Sequence, residues 1–272
     1  MKRAFAVPIL ALSIWLTGCA APGPSHKDLA ESDRAVTAGR DVVVAVPQSE
    51  VNVNVARSNL ATYSGGGLLV GLIDVAIEKH RATVAENMVT PIRDALVDYD
   101  FDKKALETVK QATGQVPWFS VNKVIFTKDG TNESFAKLMD GSTADQLMYN
   151  YVNYAFSSDF RTLYVGLKTG LIKRSPASPT ETARERMAYK NAAYFNAWVY
   201  HETLPGATDD ASANAKVWAD SNGERARAAL DRGLAAIGKL LVEDLTRSPG
   251  KQPAQAATAA AAAQPAQSGV VQ

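Results

Sequence analysis

Residues 146–172 read QLMYNYVNYAFSSDFRTLYVGLKTGLI, and the division of this stretch decides the fold. Gln146 to Phe156 is rich in Tyr, Val and Phe. Arg161 to Ile172 alternates, with Leu163, Val165, Leu167 and Leu171 pointing one way and Thr162, Tyr164, Gly166 and Lys168 the other. A period of two marks a strand with one buried face. Ser157-Ser158-Asp159 supplies turn residues between the two runs, so an antiparallel hairpin is expected.

The flanking segments add to this hairpin. Upstream, Asp41 to Val46 is a β-branched run suited to a buried strand, and Val51, Val53 and Val55 alternate with Asn52 and Asn54. Pro47-Gln48-Ser49-Glu50 between them reads as a turn, which predicts a second hairpin. Val121 to Thr127 reads as a strand, followed by a turn at Asp129-Gly130 and a short helix through Phe135 to Met139. Met187 to Tyr200, rich in Tyr, Phe and Trp, is expected to be a strand, with a helix from about Thr180 as the competing reading.

Helical periodicity appears in three places. Ile73, Ile77, Val84, Met88, Ile92 and Leu96 recur at three- and four-residue steps, with Pro91 expected to kink or split the helix. Leu106 and Val109 sit in a shorter helix with Asp102 as candidate cap and Gly114 as candidate stop. Leu230, Leu234, Ile237, Leu241 and Leu245 form an apolar stripe on a helix that should cover the sheet. Hairpins interleaved with helices predict an α+β fold, a two-layer domain with a mainly antiparallel sheet covered by helices on one side.

The ends differ from this core. Met1 to Leu16 joins a short basic start to an apolar run too short for a membrane span, as in an export signal. It ends in Leu16-Thr17-Gly18-Cys19, which resembles the bacterial lipobox: an aliphatic residue, two small ones and the chain's only cysteine. The resemblance implies that residues 1–18 are a signal peptide and that Cys19 carries lipid. Several acyl chains give stable attachment where one gives marginal binding. Ala20, in place of the aspartate that retains enterobacterial lipoproteins in the inner membrane, implies an outer-membrane protein facing the periplasm. Residues 19–39 are polar and bear Pro and Gly, as expected of a tether. Residues 40–247 form the expected globular domain, and 248–272 are a low-complexity Ala/Gln/Pro tail too poor in large apolar groups to pack.

Composition and motifs exclude more than they assign. Lys+Arg 29 against Asp+Glu 28 leaves a net charge of +1, so no global field draws the chain to nucleic acid. Ser134-Phe-Ala-Lys137 and Lys168-Thr169-Gly170 match the S-x-x-K and K-T-G elements of penicillin-binding proteins. They stand too close together for that architecture, and Ser212-Ala-Asn214 follows both instead of lying between them. Asp98, Asp100 and Asp102 alternate like the start of a calcium loop, but Lys103 and Val109 occupy the positions that need Gly and Glu, which leaves helix capping. His26, His80 and His201 form no metal-ligand spacing. No cofactor, metal or catalytic residue is expected.

Ser64-Gly65-Gly66-Gly67 with Gly71 is the candidate interaction loop, since successive glycines give up backbone entropy that an ordinary loop keeps. The strand aromatics Tyr149, Tyr151, Tyr154, Phe156, Tyr164, Tyr189, Tyr194, Phe195 and Trp198 are expected mainly in the core, and any exposed subset would form a peptide or glycan platform.

GGGLLVGLID (65–74), RDALVDYDFD (93–102) and the tyrosine-rich hairpin together resemble a group of uncharacterised Gram-negative lipoproteins over residues 41–247. That resemblance brings no activity with it. The architecture is similar to that of outer-membrane lipoproteins that act as accessory factors, such as activators of peptidoglycan synthases or Tol-type domains. The expected function is therefore a non-catalytic, lipid-anchored adaptor with an envelope protein partner, and the alternative is a periplasmic hydrolase or a carrier of a small lipid or glycan.

Overall fold

The structure, a computed structural model, describes residues 26–54, 83–174, 182–187 and 191–247. Cys19, Gly65, Gly66, Gly67, Gly71 and His80 lie outside the described residues. Six strands, β1 (Arg40–Ala45), β2 (Asn52–Asn54), β3 (Val121–Thr127), β4 (Gln146–Ser157), β5 (Thr162–Lys173) and β6 (Ala192–Thr203), form one mixed sheet in the order β3-β1-β4-β5-β6, with β2 also beside β4. The helices are α1 (83–95), α2 (Phe101–Gly114), α3 (Asn132–Asp140), the one-turn α4 (Ala183–Arg186) and α5 (Ala211–Thr246). The fold is α+β, and most of the strand pairing is antiparallel.

The β4–β5 hairpin forms as the alternation requires, with Val152 opposite Leu167 and Tyr154 opposite Val165. β6 pairs antiparallel with β5, so the aromatic segment is a strand and only one helical turn precedes it. The β1–β2 hairpin does not form. Both strands run parallel to β4, with Ala45 beside Tyr151 and Asn52 beside Ala155. Pro47 has no N–H to give the ladder. Across the gap the Gln48 side chain stands in for backbone, its Oε1 accepting from Tyr154 N at 3.2 Å and its Nε2 donating to Tyr154 O at 2.8 Å. The chain therefore bulges and resumes in the same direction.

One sheet face carries the main core. Val42, Val44, Met148, Val152, Phe156, Leu163, Val165, Leu167 and Leu171 meet Ile92, Val109, Trp218 and the stripe Leu230, Leu234, Ile237, Leu241 and Leu245. Each fully buried leucine of that stripe contributes about 1.5–3 kcal/mol. Gly233 lets α5 approach closely, because a Cβ there would fall 2.5 Å from Val165 Cγ2. α5 breaks at Asp220–Gly223, where Ser221, Asn222 and Gly223 adopt φ of 52°, 56° and 68°. The α2 cap is Asp100, which accepts from Lys103 N at 2.9 Å, and Asp102 instead pairs with Lys128 at 2.5 Å. α1 runs through Pro91 to residue 95 without a break among its described residues.

Two expectations change. Helices were expected on one side, yet α3 and α4 also cover part of the second face, burying Phe135, Met139 and Met187 against Val43, Ala45, Leu147, Tyr149 and Ile172. Residues 26–39 were expected in the tether but are packed on the domain. Leu29 is in the core, and Asp145 Oδ2 accepts from Thr37 N and Ala38 N, both at 2.7 Å. These contacts are long-range and leave no periodicity in the sequence.

Candidate functional site

Among the described residues, the second face of β4–β6 is only partly covered. Beyond α3 and α4 it presents Tyr151, Asn153, Tyr164, Lys168, Phe195, Ala197, Val199 and His201, half-buried or exposed. Val199, on the edge strand β6, is 45% exposed. Two glycines on this face make room for side chains of β4. Asn153 lies over Gly166, and a Cβ on Gly170 would come 2.5 Å from the Tyr149 ring. The remaining side chains organise in pairs: the rings of Tyr164 and His201 meet edge-on at 4.9 Å, and Lys168 Nζ stands 5.5 Å from the Phe195 ring centre. The β4–β6 positions of this face include Lys168 and His201 and no carboxylate. An aromatic, hydrogen-bonding, cation-bearing platform suits a polar or anionic partner and repels a cationic one.

The platform is bounded by the outer edge of β6. One residue of the N-terminal segment pairs there: Lys27 N donates to Phe195 O at 2.8 Å, and Phe195 N donates to Lys27 O at 3.1 Å. The Lys27 ammonium donates to Ala192 O, which ties the segment down a second time. Nearby, Arg247 pairs with Asp244 and lies 3.8 Å from Asp28, and Arg34 donates to Arg247 O. The N-terminal segment and the end of α5 therefore meet at one corner of the domain.

On the opposite face a polar row crosses the sheet beneath α5. Asn150 Nδ2 donates to Val43 O at 3.2 Å, and Thr169 Oγ1 donates to Asn150 Oδ1 at 3.0 Å. Asn196 Nδ2 and Tyr194 OH donate to Asp244 Oδ2 at 2.9 and 2.6 Å. Burial pushes the Tyr194 phenol far above its ordinary range. Asn150 and Thr169 are wholly buried, so this row fixes strand register and meets no substrate. Its signal in the sequence is Thr169, which interrupts the series Leu163, Val165, Leu167, Leu171.

The motif candidates come apart in the fold. Thr169 points into the core, Lys168 to the open face, and Ser134 sits in the first turn of α3, where its N–H donates to the Thr131 cap. Ser134 and Lys168 share no hydrogen bond, so no acyl-transfer pair exists there. Asp98 pairs with Arg227, which holds its carboxyl below the usual range. His26 contacts Asp28, and His201 meets Tyr164. Among the described residues no three His, Cys, Asp or Glu side chains gather as for a metal. Tyr149, Tyr154, Phe156, Tyr194 and Trp198 are core, as expected. Tyr151, Tyr164 and Phe195 are half-exposed, and Tyr189 lies outside the described residues.

The concavities among the described residues are open grooves. The one between α2 and α5 holds about 470 Å³ and is lined by Lys104, Glu107, Lys239 and Glu243 among others. A second, of about 290 Å³, lies between α1 and the β1–β2 bulge beside Val97, which is 86% exposed. Charged side chains splayed around an open groove differ from the apolar, enclosed lining that holds a small molecule.

No protein-family model matches the chain, and no curated protein matches it. Among solved structures, a PelC dodecamer from Paraburkholderia phytofirmans is 12% identical, covers 82% of this chain and 96% of that chain, and has a TM-score of 0.29. A point variant of the PelC dodecamer from the same organism is 13% identical, covers 72% and 93%, and has a TM-score of 0.24. Superpositions this loose carry no argument about function or assembly.

Proposed function

We propose that this protein is a non-catalytic, lipid-anchored outer-membrane protein that faces the periplasm and binds another cell-envelope component through the open face of β4–β6. The anchor reading rests on the leader-like start and on Leu16-Thr17-Gly18-Cys19. The binding reading rests on one observation: the part of this face that α3 and α4 leave uncovered carries Tyr164, Lys168, Val199 and His201 at the surface. A bound partner would remove the exposed Val199 and Tyr164 from water and give Lys168 an acceptor.

The test is photo-cross-linking in intact cells from residues introduced at Tyr164 and Val199, with Lys110 on the far side of the domain as control. A discrete adduct with another envelope component from the two face positions, absent from Lys110, supports the proposal. Adducts of equal yield from all three positions, or none from the face, count against it.

A further inference from the structure

The outer edge of β6 is complementary to itself. Lys27 and Phe195 exchange both backbone hydrogen bonds in an antiparallel bridge. In antiparallel pairing every second residue turns both its N–H and its C=O to the same side. On β6 the outward residues are therefore Phe195, Ala197, Val199, His201 and Thr203, and the intervening ones face β5. Leu204 keeps the alternation, its N–H donating to Arg161 O at 2.7 Å. No described residue takes the outward groups of Val199, His201 and Thr203. At Ala197 the N–H is held by Asn196 Oδ1 at 2.8 Å, which leaves its carbonyl.

Edge strands are commonly blunted by Lys, Pro, a bulge or a covering element. Ala197 to Thr203 contains no Lys, Arg or Pro, and Val199 within it is 45% exposed. The other edge of the sheet differs, because β3 carries Lys123 in mid-strand, its ammonium 3.2 Å from Asp41.

We propose that β6 pairs antiparallel with β6 of a second copy of this chain, about a two-fold axis at Tyr200. An axis normal to the sheet makes two copies of one strand antiparallel with no further condition. Outward residues must face outward residues, so the axis passes through a residue and not between two. At Tyr200 it sets Val199 of each copy opposite His201 of the other and Ala197 opposite Thr203. All four outward positions are then used, and Phe195 stays with Lys27. An axis at Val199 would drive Thr203 into the place that Lys27 holds beside Phe195. An axis at His201 would oppose two imidazoles and carry Ala197 past the end of the facing strand.

The charges agree with this register. Glu202 keeps its Arg232 partner at 2.8 Å on the core side and lies opposite Trp198 of the other copy. On the open face the two Lys168 positions stand about 25 Å apart, well beyond the roughly 8 Å over which charges act in physiological salt. No like charges meet across the edge. The pairing joins the two sheets and sets both open faces on one side, so the binding surface proposed above doubles. It rests on the backbone of β6 and stands whether or not that surface binds an envelope component.

The test uses the full mature chain in detergent solution, where sedimentation should show a reversible dimer. Tyr200→Cys puts one thiol on the axis, where facing Cα atoms lie about 4.5 Å apart. It should give a chain-to-chain disulfide under mild oxidation that the parent chain lacks. Asn153→Cys, exposed on the same face but two strands from the edge, should not. Val199→Lys puts an ammonium opposite His201 and should raise the dimer dissociation constant at least tenfold. Val97→Lys, at an apolar side chain that is 86% exposed elsewhere on the domain, should leave it unchanged. A chain that stays monomeric overturns the proposal, and so does a dimer that survives Val199→Lys or is weakened equally by Val97→Lys. Equal linking from both cysteines overturns it too. A dimer with no link at Tyr200 does the same, since joining β6 of one copy to β3 of the next keeps the two Tyr200 positions apart.

Discussion

The guanidinium carbon of Arg40 lies 4.7 Å from the centre of the Trp118 ring, and the whole Arg40 side chain is excluded from solvent. Its Nε donates to Gln146 Oε1 at 2.7 Å, and its Nη2 donates to the carbonyls of Asp33 and Arg34 at 3.0 and 2.7 Å. A planar fork reaches these acceptors together and still stacks on the ring, which an ammonium cannot do. This cation joins the N-terminal segment, β1 and β4, so it is one of the contacts that hold residues 26–39 on the domain.

Replacing Arg40 therefore tests how firmly that segment is held. Arg40→Ala takes the donors from Arg34 O and Gln146 Oε1 and leaves a void beside Trp118, and it is expected to cost about 3–5 kcal/mol. Arg40→Lys keeps the charge, yet it should also lose stability, because one ammonium cannot satisfy Gln146, Asp33 and Arg34 at once. Urea unfolding measures both, and a Lys variant as stable as the parent chain would refute the fork argument.

The protein should be sensitive to alkali. Burial pushes the phenols of Tyr149 and Tyr154 up to about 12, and those of Tyr99 and Tyr194 further. Unfolded tyrosines titrate near about 10, so this stabilisation is whole below that pH and is lost as pH rises toward the folded values. Tyr149 and Tyr154 each stand for about 2–3 kcal/mol by pH 12. Arg40 acts in the opposite sense, since burial pulls its guanidinium down to about 10. Four phenols outweigh one guanidinium. Stability measured by denaturant midpoint should fall between about pH 10 and pH 12, with phenolate absorbance appearing as the chain unfolds. Phenolate absorbance near pH 10 equal to that of the unfolded chain, with no loss of structure, would contradict this.

The break in α5 holds two non-glycine residues, Ser221 and Asn222, at positive φ. Such backbone costs an ordinary side chain about 1 kcal/mol or more, which glycine does not bear. Ser221→Gly and Asn222→Gly are each expected to raise the thermal midpoint, whereas Gly223→Ala should lower it, because Gly223 sits at φ 68° with Ala95 Cβ only 3.1 Å from any added Cβ. Calorimetry on the three variants gives the signs. Destabilisation by both glycine substitutions would show that the Ser221 and Asn222 side chains do more than tolerate the turn.

Gly170 tests the packing of Tyr149 between β5 and α3. Its replacement by Ala drives a Cβ into Tyr149, whose ring stacks on Phe135 at 5.2 Å, so a loss of about 1–3 kcal/mol is expected. Tyr149→Ala in the same chain removes the obstacle, and the double variant should be more stable than the sum of the single changes implies. Strict additivity in urea unfolding would contradict the contact.

The sequence made the fold legible where neighbours in the chain are also neighbours in space. The β4–β5 hairpin follows from alternation and a turn, and the α5 stripe follows from helical period. β1 and β2 are strands as expected, but their pairing is not legible, because their partner, β4, lies about a hundred residues away and a turn-like Pro47-Gln48-Ser49-Glu50 resembles a hairpin connection whether or not the strands reverse. The N-terminal segment was misjudged because single residues hold it: Lys27 on β6, Leu29 in the core, and the carbonyls of Asp33 and Arg34 on Arg40. Of the site, the polar and aromatic alternation of β5 announced a second face, but only the positions of α3 and α4 reveal how much of that face stays open. Exposed Val199 could not be told from a core valine by its neighbours in sequence.

The exposure of the platform acquires meaning only beside a membrane, so the state of Cys19 decides the account. Mass spectrometry of the protein purified from its native host should find Cys19 as the first residue, acylated, in the membrane fraction. An unprocessed or unmodified thiol on protein recovered from the aqueous fraction would contradict the anchor, and with it the proposed function.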